Sequence, residues 1–230
     1  MSPLVTVLSP AALPFLAKGA VLAFGLTGYV LQSSYKILQL LIPIVWRYRS
    51  GARGLRILWP TNEPLPSFRV WMYGVAIALL SSGLGIAALL WAAPFFALDP
   101  AVIRAGFDTR FAVGSGGAVA VVLFLGIANA GLEELHFRAW LDREISRRST
   151  ATIGIIVSAF AFGSMHALIF AGLPGVSVLP IAAAVLGITI MGVLWSLLMR
   201  MRGGIHACVL SHGLTDVLLL GWGLQWLGYI

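Results

Sequence analysis

Runs of apolar residues as long as Val70–Phe96 leave a chain two options, a deeply buried core helix or a membrane crossing. A spanning helix needs about 20 mostly apolar residues. This sequence offers such runs again and again. They are Ala11–Leu31 (interrupted by Lys18), the short Tyr35–Trp46, and Val70–Phe96, which ends near Pro94. Phe111–Arg148 begins as a span and becomes a charged helix, and Thr150–Ala171, Val178–Met201 and Ile205–Leu227 complete the set. Composition decides between the two options: 60% of the 230 residues are apolar and only 10% are charged. A soluble domain runs at about 45–50% and about 25%, so this chain could not cover a water-facing surface. The expected fold is an all-α polytopic transmembrane bundle of about seven helices, six to eight, in one membrane domain.

The net charge of +7 is spread in a way that argues against nucleic acid. All basic residues except Lys18 and Lys36 are arginines, and most sit between apolar runs. Arg47, Arg49, Arg53, Arg56 and Arg69 fall in one connection, Arg138, Arg143, Arg147 and Arg148 in the next on the same side, and Arg200 and Arg202 in the third. The alternate connections hold only Arg104 and Arg110. By the positive-inside rule the first group is cytoplasmic and the C-terminus lies outside, in a membrane most simply read as a bacterial inner membrane. The single cysteine, Cys208, excludes an internal disulfide or a cysteine zinc cluster.

Ionisable residues in these runs stand out, because each costs roughly 2.5–3.5 kcal/mol at membrane depth and is a functional candidate by default. Glu133, Glu134 and Asp216 lie in or at the edge of apolar helices, and His136, His166, His206 and His212 all fall in the C-terminal half. Glu134 and Arg138 are four apart with the acid first, the favourable helical pairing order. Glu133 is rotated by about 100° from Glu134 and has no partner on its own helix. Phe162 and His166 share a face at i,i+4, as do His212 and Asp216. A reversal near Ser149–Thr150 would bring Glu133 and His166 level, so three helices can aim a carboxylate, two imidazoles and a second carboxylate at one cavity. Each residue alone has a structural explanation: Glu134 with Arg138 as an ion pair, Phe162 as a wall, Asn129, His136 and His206 as packing or interfacial groups, Trp140, Trp195, Trp222 and Trp226 as interface anchors. The convergent set does not.

Glu133-Glu134-x-x-x-Arg138, Phe162-x-x-x-His166 and His212-x-x-x-Asp216, in that order on successive helices with one plain helix between the last two, resemble the signature of the CAAX-processing and bacteriocin-processing (CPBP, or Abi) intramembrane proteases. The resemblance divides the chain into N-terminal transmembrane segments, 1–110, and a catalytic helical core, 111–230. It implies that Glu133 deprotonates a water, that His166 helps to hold the water, and that His212 with Asp216 binds the oxyanion. Glu134 and Arg138 would support the site and Phe162 would shape it. Many members have asparagine at the position of Asp216, and an ionised aspartate cannot donate a hydrogen bond. Asp216 would then be protonated, or orient His212, or bind a metal. No cofactor is expected, with zinc on Glu133, His166, His212 and Asp216 as the alternative. Expected partners are membrane lipid and a protein or peptide substrate, lipidated or bearing a C-terminal sorting tail, and no nucleic acid. A non-catalytic immunity protein that binds a peptide, and a proton-relay transporter, are the competing functions.

Overall fold

The computed structural model describes residues 3–57, 64–112 and 114–230, and among them every regular element is helical. Helix α1 is Pro3–Ala23, α2 the short Tyr29–Ser33, α3 Tyr35–Arg49, α4 Phe68–Phe95 and α5 Pro100–Phe111. The long α6 is Gly116–Arg148, followed by α7 Ala151–Phe170, α8 Val178–Met199 and α9 Gly204–Trp226. Six of these, α1, α4 and α6 to α9, are long and apolar enough to cross a membrane. The chain is an all-α, polytopic integral membrane protein.

The N-terminal region departs from the expected Ala11–Leu31 span. Helix α1 starts earlier and ends at Ala23, and the chain turns through Gly25 and Gly28 at φ +62° and +95°, a backbone that suits glycine. The turn brings Gln32 over Lys18, whose ammonium donates to the Gln32 carbonyl at 2.9 Å and to Oε1 at 2.6 Å. The one charge that interrupts the run is therefore met inside the protein. Helix α3 has 15 residues, about 22 Å at 1.5 Å per residue, short of the roughly 30 Å of hydrocarbon. Helix α5 was not expected; Asp99 caps it, accepting from Ala101 N at 2.8 Å. Arg110 ties it to the end of α7 through the carbonyls of Ile169 (2.8 Å) and Ala171 (2.7 Å). Beyond α9, Tyr229 donates to Asp108 at 2.7 Å. Its phenol is pushed up to about 12 by burial and by that carboxylate.

Helices pack where side chains are small. On α4 the buried positions Val70, Gly74, Ala78 and Ser82 recur every four residues, a narrow seam that lies on α9. A Cβ on Gly74 would sit 3.0 Å from the Ala207 carbonyl. Gly192 of α8 meets Ala159 of α7 in the same way. Without a hydrophobic drive between helices in lipid, this close backbone approach is what holds them. At the arginine-rich end, Arg200 grips Asp142 with two hydrogen bonds of 2.8 and 2.9 Å, joining α8 to α6.

Helix α6 is not uniform. Two π-helical stretches, Leu125–Asn129 and Phe137–Asp142, flank the α-helical turn Ala130–His136 that carries the glutamates. A π turn lengthens the backbone ladder and shifts the phase of the side chains. Neighbouring helices engage both stretches. Ser158 of α7 donates to the Phe137 carbonyl at 2.6 Å, and Gly126 lies directly against Gly213 of α9.

Candidate active site

The π stretches and the glycine crossing together aim the turn 130–136 at α9. Glu133 and Glu134 are 2% and 0% exposed, and His212 is 2% exposed. His212 Nδ1 lies 2.8 Å from Glu134 Oε1. A carboxylate can only accept, so Nδ1 carries the proton. The other ring nitrogen, Nε2, faces Glu133 Oε2 at 3.5 Å and Asp216 Oδ2 at 3.7 Å. The imidazole is thus ringed by three carboxylates. Its faces are fixed by Trp195, stacked at 4.2 Å and 16°, and by the edge of Phe162 at 5.5 Å.

Glu134 also pairs with Arg138 at 3.2 Å, and both side chains are fully buried. The guanidinium lies over the Phe162 ring at 4.3 Å and near Trp195 at 5.3 Å, so aromatic faces supply much of its surroundings. Phe162 therefore touches Arg138, His166, Trp195 and His212 at once, which makes it the wall of the site. His166 Nδ1 lies 2.9 Å from the Phe162 carbonyl one turn back. That bond makes Nδ1 the donor, leaving Nε2 as the nitrogen that can act on a ligand. The ring is within electrostatic reach of Glu133 and His212. All seven residues singled out by their spacing, Glu133, Glu134, Arg138, Phe162, His166, His212 and Asp216, are gathered in one place.

The partner of Glu133 was not foreseen. Lys36 of α3 donates to Glu133 Oε1 at 2.7 Å, across 97 positions of sequence. The other oxygen, Oε2, is buried and has no hydrogen-bond partner among the described residues. One turn further along, His136 Nδ1 lies 3.1 Å from the Gln39 carbonyl, so α3 follows α6 past the glutamates and His136 is a packing residue. Three other expectations are corrected. Trp140 and Trp195 are 1% and 3% exposed; they wall the core and the site and are not interface anchors. Arg138 belongs to the site and gives no topology signal.

The zinc alternative can be tested on the donor set. Among the described residues no three His, Cys, Asp or Glu side chains are gathered as a metal set. Lys36 lies against Oε1 of Glu133, while His212 turns Nδ1 to Glu134 and Nε2 toward Glu133 and Asp216.

Residues 115–218 match the family model described as type II CAAX prenyl endopeptidase Rce1-like. The match spans α6, α7, α8 and most of α9, and leaves α3 and Lys36 outside it. Comparisons with curated proteins and with solved structures gave no match. The matched helices carry the three motifs, so residues 115–218 are similar to the CAAX-protease (CPBP) family of intramembrane endopeptidases.

Proposed function

We propose that the chain hydrolyses a peptide bond near the terminus or membrane segment of a membrane-associated protein or peptide, with Glu133 activating the water. The observation that carries this reading is the asymmetry of Glu133. One oxygen is held by Lys36, and the other is buried, unpartnered among the described residues and turned toward His212. Oε2 takes a proton from water as the hydroxide adds to the scissile carbonyl carbon. His166 Nε2 accepts from that water and holds it in place. His212, protonated on both nitrogens, donates Nε2–H to the oxyanion, while Glu134 fixes the ring through Nδ1. Collapse of the tetrahedral intermediate breaks the C–N bond, and the proton on Glu133 passes to the leaving amine. Donors aimed at a developing oxyanion are worth about 2.7–4 kcal/mol each. In this scheme Asp216, beside Nε2, favours the charged ring and need not donate itself.

The arginine-rich loops, gathered by Arg200–Asp142 and by Arg148 over the Trp46 ring, support a cytoplasmic placement of that end. The C-terminus would then be outside, in a bacterial inner membrane. The substrate class follows the family name only in being a membrane-associated peptide, lipidated or tailed.

The test is rescue of a deletion strain with wild type, Glu133→Gln and His166→Ala, mapping membrane-protein termini in each. A terminus that changes only with both residues intact supports the reading and identifies the substrate. Rescue by both variants with no terminus moved would contradict it, in favour of a binding or immunity role. The metal-free form of the proposal predicts that chelators leave turnover of the purified protein unchanged; loss that zinc restores would overturn it.

A further inference from the structure

Among the described residues of the N-terminal half, which lies outside the family match, Lys36 reaches Glu133. We infer that Lys36 is a positioning residue for Glu133, selecting Oε2 as the base and completing the charge of the site. This rests on the proposed role of Glu133.

Three observations lead to it. First, the contact is specific: Lys36 Nζ is 2.7 Å from Oε1, and the two side chains are 11% and 3% exposed. The lysine is itself held, with its ammonium 5.0 Å from the centroid of the buried Tyr35 ring. Second, the clamp acts on one oxygen only, so the two lone-pair sets of Glu133 are no longer equivalent. Oε1 is committed to Lys36, and Oε2 is left as the basic atom in the cavity beside His212. Third, Lys36 supplies one of the cations that face the cluster of carboxylates. Glu133, Glu134 and Asp216 contribute three negative charges when ionised. Arg138 and Lys36 contribute two positive charges, and an imidazolium at His212, which contacts all three carboxylates, supplies the third. Without Lys36 the cluster keeps a surplus negative charge at membrane depth, where an unpaired ion is most costly. Helix α3 is therefore part of the catalytic machinery, and its shortness relative to the bilayer is consistent with a helix that ends at the depth of the site.

The experiment compares wild type, Lys36→Ala, Lys36→Gln, Lys36→Arg and Glu133→Gln, purified in proteoliposomes, on a substrate found by terminus mapping, with rates normalised to folded protein. Lys36→Ala and Lys36→Gln should keep KM and lower kcat by about 10²-fold, the scale of a misplaced catalytic group. Lys36→Arg should recover part of kcat, and ethylammonium added to Lys36→Ala should do the same. Wild-type kcat in folded Lys36→Gln would overturn the inference. So would a loss in Lys36→Ala that follows folded protein alone and that neither arginine nor the amine restores. If Glu133→Gln cleaves normally, it is the reading of the reaction that fails; if Glu133→Gln is inactive while folded Lys36→Gln is fully active, only the role of Lys36 fails.

Discussion

His212 is the residue on which most of the site's geometry depends. Its ring is held on one edge by Glu134, on the other by Glu133 and Asp216, and on its face by Trp195. Such a ring cannot swing away when substrate arrives, which is the preorganisation that oxyanion stabilisation requires. Glu133→Gln keeps the shape of the side chain and removes only its basicity. It should lower kcat by about 10²–10⁴-fold, the usual contribution of a general base, while the helical content measured by circular dichroism stays the same. Arg138→Met should act differently. It leaves Glu134 as a buried charge without its cation, and breaking a buried pair in this way costs about 3–5 kcal/mol. Unfolding in detergent should show the loss as a lowered midpoint, with activity falling in step with folded protein. The motif residues were legible in the sequence because charges in an apolar run are few and their i,i+4 spacing fixes a shared face. Lys36 was not, because its pairing with Glu133 links helices 97 positions apart and nothing in local spacing anticipates it. Trp195 was misread for a related reason: a tryptophan near the end of an apolar helix has the same composition signal at an interface as against a buried imidazole.

Within the bundle, the crossing of α6 and α9 sets the distance between the first and third motifs. Gly126 sits in the first π stretch and abuts Gly213, the residue after His212. A side chain at either position would push the helices apart and draw His212 away from Glu134. Gly213→Val should therefore cost about 10²-fold in turnover, the scale of a misplacement of about 1 Å. Gly131→Ala, on the same helix as Gly126 but with nothing within 4 Å of an added Cβ, should leave turnover unchanged. Parallel rate and thermal-midpoint measurements on the two variants check this; equal effects would mean that the crossing is not what places His212. The sequence marked Phe111–Arg148 as one long helix that turns charged toward its end; the structure starts that helix at Gly116 and places Phe111 at the end of α5. It gave no sign of the π stretches, since neither holds a proline and the ladder shift depends on contacts from α7 and α9. The six long spans were legible from hydropathy alone. The start of α1 was not, because the run of apolar residues continues past the turn at Gly25 and Gly28.

Across the whole molecule, charge is sorted by end and by depth. Arg143, Arg147, Arg148, Arg200 and Arg202 lie at one end, Arg104 and Arg110 at the other, and Lys36, Arg138 and the acidic cluster lie between. The proposed orientation predicts that in a Cys208→Ser background a cysteine replacing Arg202 reacts with a membrane-impermeant maleimide only in inverted vesicles. A cysteine replacing Gly228 should react only in right-side-out ones, and the reverse pattern would invert the topology. The N-terminal segments, which from sequence contributed only hydrophobic length, supply α3 and the cation beside Glu133, so the molecule functions as one bundle in this account. Its central claim is that Glu133 is the base of a membrane endopeptidase. The most direct measurement is cleavage of a mapped membrane substrate by purified wild type and Glu133→Gln in proteoliposomes, at matched folded concentration and with chelator present. The account predicts turnover by wild type and a loss of about 10²-fold or more in the variant; equal cleavage by the two proteins would contradict it.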